Sequence, residues 1–96
     1  MVIFKVYNWY IVLYGVWWLR IRVLVWREED MFVAREVVTG VTSQGRSVEE
    51  ALENLREALE LYLEEVPEAL EKLEALDRSL VGVLEFEAKA SKAIGA

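Results

Sequence analysis

Apolar positions along this chain change period at Gly45, from every second residue to every third or fourth. Before that point, Leu19–Arg27 (LRIRVLVWR) sets Ile21, Val23 and Val25 on one face, the alternation of a half-buried strand. A polar turn at Glu28–Asp30 follows, and Met31–Val38 returns as a second strand, so the two predict a β-hairpin. Gly40 interrupts the pattern. Val41–Ser43 then predicts a short third strand that ends at Gln44-Gly45, where glycine supplies positive φ at low cost for a strand-to-helix turn.

Ser47 opens a helix. In Ser47-Val48-Glu49-Glu50 the Ser47 hydroxyl can accept from the Glu50 amide, and the Glu50 carboxylate is expected to reach back to the Ser47 amide, a capping box. The inward stripe is Val48, Leu52, Leu55, Leu59, Tyr62 and Val66, widened by Ala51 and Ala58. Pro67 ends or kinks the helix by pushing Val66 toward extended geometry, and suits the first turn of a second helix through Ser79 with Leu70, Leu73 and Leu76 aligned. Leu80–Ala88 alternates again as a final strand, with Leu84, Phe86 and Ala88 to one side.

The expected fold class is therefore α+β: a three-strand antiparallel start, a long amphipathic helix, a short second helix and a final strand, βββαβ. One face of the hairpin, with Ile21, Val23, Val25, Phe32 and Ala34, can meet the long helix. The other presents Leu24, Trp26, Val33 and Val37, an apolar set expected to be covered by self-association into a dimer or larger assembly. Three parts divide the chain: residues 1–18, the domain at 19–88, and a disordered tail at 89–96. The first part is almost wholly aliphatic and aromatic, with Lys5 its only charge. Three readings of it stand open: a membrane or interfacial anchor, an extra strand or packed arm, or sequence translated upstream of the true start.

Composition narrows the chemistry. The chain has 96 residues and a formal net charge of −6, with neither histidine nor cysteine. That removes the commonest general base and zinc ligand, all thiolate chemistry and any disulfide, and it agrees with a cytoplasmic location. An acidic chain is poorly suited to tracking phosphates, so no direct nucleic-acid binding is expected. Glu49, Glu53, Glu57, Glu60 and Glu64 follow the solvent side of the long helix, with Arg56 spaced to pair with Glu53 or Glu60, and read first as a solvated face. Asp30 and Asp77 sit in a turn and near a helix end, away from any strand that could anchor a two-metal cluster. No catalytic residue, metal or cofactor is expected. Gln44-Gly45-Arg46-Ser47 has one glycine and no lysine, which is too little for a phosphate cradle. Trp17, Trp18 and Trp26 lack a basic groove and suit a core or interface better than base stacking.

Over VTSQGRSVEEALENLREALELYL, residues 41–63, the sequence resembles the HicB antitoxin family. The turn and cap that carry the likeness are Gly40, Ser43, Gln44, Gly45, Ser47 and Glu50, followed by Ala51, Asn54 and Glu57 to Leu63. Upstream, Phe32-Val33-Ala34 looks like the aromatic-x-Ala strand of the family's first hairpin. The resemblance implies a partial RNase H fold without catalysis, and a protein that binds and neutralises a small basic HicA-like mRNA-cleaving toxin. Glu49, Glu53, Glu57 and Glu60 are then the expected toxin-facing carboxylates. The alternative is a stand-alone homo-oligomeric regulatory or scaffold protein of the same fold, with no toxin. Many family members carry a C-terminal DNA-binding module; nothing after Ala88 in this sequence is long enough for one.

Overall fold

A computed structural model describes residues 19–91. The readings made for residues 1–18, and for the part of the tail at 92–96, lie outside the described residues. The fold is α+β: β1 (Val23–Glu28), β2 (Met31–Glu36), β3 (Thr42–Gly45), α1 (Val48–Glu65) and α2 (Ala69–Ser79).

β-Branched and aromatic residues give β1 its extended preference, and a two-residue loop, Glu29–Asp30, returns the chain into β2. Glu29 takes φ 53°, in the left-handed region such tight hairpin loops demand. β1 and β2 pair antiparallel from Val23 opposite Glu36 to Glu28 opposite Met31, and the Arg27 guanidinium sits 5.9 Å from the centre of the Phe32 ring across one rung. β2 and β3 pair antiparallel from Phe32 opposite Gly45 to Arg35 opposite Thr42, so the sheet order is β1-β2-β3. Between β2 and β3 the chain reverses with Gly40 at φ 79°, its N–H donating to the Glu36 carbonyl at 3.0 Å.

α1 lies across β3 and β2. Its contact is made with small residues. Ala34 of β2 and Ala51 of α1 are fully buried with Leu55, and Val23, Phe32 and Val41 pack against them. The alanines allow close approach, and the leucine supplies the apolar volume. Leu59 of α1 and Ala69 and Leu73 of α2 are also buried. The expected inward stripe is thus shifted: Ala51, Leu55 and Leu59 form its centre, while Val48 and Leu52 lie at its margin and remain exposed. Pro67 separates the helices as its chemistry predicts, with Val66 at φ −128°, ψ 71° ending α1.

α2 is held to the start of β1 by charge. The Asp77 carboxylate accepts from Arg22 at 2.9 Å and from Arg20 at 3.3 Å. Arg22 above all, then Arg20, holds Asp77 below the ordinary carboxylate range. After Leu80 the chain departs from expectation. Residues 80–91 form no strand and lie almost wholly exposed, so the final strand read at Leu80–Ala88 does not join this sheet. Alternation gave that segment strand character, but a strand exists only where a neighbouring edge satisfies its amides.

Candidate functional site

The turn Ser43–Ser47 is where the sheet hands the chain to α1, and it orients everything on that helix. Ser47 caps it as predicted: its backbone is extended and its hydroxyl accepts from the Glu50 N–H at 3.0 Å. The return half of the box differs by one residue. Glu50 Oε1 accepts from the Arg46 N–H at 2.6 Å rather than from Ser47. That carboxylate still satisfies an amide at the positive end of the helix, so the electrostatic role is kept.

Gly45 is required for a reason other than the predicted one. Its φ is not positive; Gly40 is the only glycine of the described residues with positive φ. A Cβ on Gly45 would fall 2.5 Å from the Ala51 nitrogen and 2.8 Å from the Glu50 carbonyl carbon, inside any permitted contact. Glycine there lets the end of β3 lie directly against the first turn of α1.

Two residues beyond the predicted cap residues complete this frame. Asn54 donates through Nδ2 to the Gln44 carbonyl at 2.9 Å, tying α1 to the outer side of β3. Glu36, 1% exposed, was not singled out in the sequence. Its Oε2 accepts from the Val38 N–H at 2.9 Å, and its Oε1 from the Thr39 N–H at 2.7 Å and the Thr39 hydroxyl. A buried charge is tolerated where several donors converge on it, and this carboxylate organises the β2–β3 connection. The sequence signal was faint: an acid at an inward position of a strand, followed three residues later by threonine.

On this frame Glu49, Glu53, Glu57 and Glu60 all stand exposed along one side of α1. Arg56 pairs with Glu53 at 2.8 Å, and that hydrogen bond raises the guanidinium further above its ordinary value. Glu53, Arg56, Glu57 and Glu60 outline a shallow, open depression on the same side. The arrangement can attract a cationic surface; it does not enclose a small molecule. Among the described residues no three histidine, cysteine, aspartate or glutamate side chains are grouped to hold a metal ion. Also among them, no helix is long and apolar enough to cross a membrane.

The face of the sheet away from α1 is partly as expected. Leu24, 59% exposed, and Val37, 52% exposed, are open, and Trp26 is half-buried. Val33, assigned to the same contact surface, is only 5% exposed and cannot offer a contact of its own. It lies on the central strand, with Trp26 directly opposite on one side and Gln44 on the other, so neighbours shield it.

A family model described as a family of unknown function (DUF7387) matches residues 21–85. The chain belongs to that family. No curated protein and no solved structure matches it. The DUF7387 match spans β1 through α2 and runs on into the exposed segment after Ser79, so the turn, the cap and the acidic side of α1 all fall within the family domain.

Proposed function

We propose that this protein is a non-catalytic antitoxin of HicB-like type, which binds and neutralises a small basic HicA-like RNase in the cytoplasm. The observation that carries the reading is the exposed row Glu49, Glu53, Glu57 and Glu60 on a helix fixed by the Ser47 cap and the Asn54–Gln44 bond. A toxin that holds RNA needs a cationic surface, and a row of carboxylates on a rigid helix is complementary to it. The resemblance over residues 41–63 supports the same reading, as does the βββα order from Val23 to Glu65.

Co-expression with a small basic HicA-like RNase tests it. The expected result is co-purification and relief of growth arrest; failure of both overturns the proposal. Reversal of Glu49, Glu53, Glu57 and Glu60 to lysine should slow association most at low ionic strength, because exposed charges act through a screening length of about 10 Å at 0.1 M salt. Binding that is unaffected by the reversal would move the contact to the sheet face. A second reading, a homo-oligomeric regulatory or scaffold protein with no toxin, is favoured by the open apolar residues Leu24 and Val37.

A further inference from the structure

Two incomplete features of this fold match each other. The first is the outer edge of β1. The Val37 N–H donates to the Arg22 carbonyl at 3.2 Å, and alternation along the antiparallel ladder then directs Leu24, Trp26 and Glu28 toward β2. The backbone N–H and C=O groups of Val23, Val25 and Arg27 therefore face outward, and among the described residues no strand pairs with them. The opposite edge is treated differently. The Glu36 N–H donates to the Val41 carbonyl, so by the same alternation the Gln44 carbonyl faces outward from β3, and it is the group that Asn54 closes. Among the described residues, one edge has an outward carbonyl closed by a side chain and the other has no partner.

The second feature is the segment Leu80–Glu87. Val81, Val83, Leu84 and Phe86 are between 76% and 101% exposed. In extended form Leu80, Leu84 and Phe86 point to one side and Val81 and Val83 to the other, so one face is apolar along its length and the other in its first half. That is the pattern of a strand added beside another whose two faces are both underfilled. β1 is such a strand: Val25 on the α1 side and Leu24 on the other side are each more than a third exposed.

We propose that Leu80–Glu87 of one copy pairs with the outer edge of β1 of a second copy, giving a twofold dimer by reciprocal strand exchange. Pairing with the chain's own β1 is not made: residues 80–91 leave α2 exposed and add no strand to the sheet. Asp77 is fixed beside Arg20 and Arg22, so a segment leaving α2 there could follow its own β1 only in the parallel sense. Parallel pairing is slightly weaker per residue, whereas a second copy can present β1 antiparallel. The antiparallel alignment sets Glu85 and Glu87 toward the end of the strand where Arg20 is exposed. The area also suffices. At about 60–120 Å² for each aliphatic side chain and about 150 Å² or more for Phe86, two arms and their landing surfaces reach the ~1,200–2,000 Å² of a specific interface.

The full chain should scatter light as a dimer at micromolar concentration, with the amides of Val23, Val25 and Arg27 protected from hydrogen exchange. Leu84→Asp combined with Phe86→Asp should give a monomer that keeps its helical circular dichroism and loses that protection, since neither side chain packs in the single chain. Val25→Pro, which removes an outward-facing N–H and none of the hydrogen bonds between β1 and β2, should also give a monomer. A full chain that is monomeric with those amides protected means the edge is covered within a single chain, and overturns the proposal. A dimer that survives the Leu84/Phe86 double substitution places the interface on the sheet face, and overturns it equally.

Discussion

The Asn54 side chain donates a 2.9 Å hydrogen bond to the outward carbonyl of Gln44, so a residue of α1 occupies a backbone group at the exposed edge of β3. This contact adds to the apolar packing of α1 on the sheet and closes one backbone group of an edge that could otherwise pair with another chain. Asn54→Ala should cost about 1 kcal/mol, the ordinary net worth of one exposed hydrogen bond, which lowers the melting temperature by roughly 4–8 °C in a domain of this size. Thermal melts would check this. A variant with an unchanged melt would mean that water replaces the amide fully.

Gly45 and Gly40 should respond to substitution in an order opposite to what backbone angle alone suggests. Gly40→Ala meets strain at φ 79° but has open space, its nearest neighbour being an Arg35 guanidinium nitrogen at 3.7 Å. The expected cost is about 1–2 kcal/mol, less for Gly40→Asn, which tolerates the left-handed region. Gly45→Ala must displace helix backbone 2.5 Å away and should cost about 3 kcal/mol or more. Urea unfolding of the three variants gives the ranking, and a Gly45→Ala protein as stable as wild type would refute the close-approach account.

Replacing Glu36 by glutamine keeps size and shape but turns one acceptor into a donor that faces donors. The Val38 N–H, the Thr39 N–H and the Thr39 hydroxyl then compete for a single oxygen. A loss of about 1–3 kcal/mol is expected, the penalty for a buried polar group left without a partner. Denaturant titration measures it. Thr39→Val, which removes one of the three donors and leaves the charge, should cost less.

Acid should loosen α2 through Asp77. Its folded value is depressed by Arg22 and then Arg20, so its contribution is complete above the ordinary carboxylate value of about 3.9 and is lost as pH falls through the lowered folded value. Amide exchange in Ala69–Ser79 should therefore accelerate below about pH 4 in the wild type. Asp77→Asn should show the faster exchange already at neutral pH and no further step from this site. If both proteins lose α2 protection over the same pH range, other carboxylates govern it.

Local chemistry wrote much of this fold into the sequence. Alternation marked the hairpin, the Ser47 hydroxyl marked the start of α1, and Pro67 marked the break between the helices, because each effect acts within a few residues of its cause. The acidic side of α1 was equally legible, since helical spacing alone puts Glu49, Glu53, Glu57 and Glu60 together. Where two elements meet, the same reasoning reached the right residue for the wrong reason: Gly45 does not take the positive φ expected of it. Gly45 is needed because Ala51 is 2.5 Å from where its Cβ would stand, a distance that exists only once α1 has folded back.

Glu36, Asn54 and Asp77 acquire their roles across turns and between elements, from partners that no periodicity specifies. Leu80–Ala88 shows the limit most plainly. Its alternating residues determine that it can be a strand, but strand pairing is a property of two edges, and only the tertiary structure decides whether an edge is there to receive it.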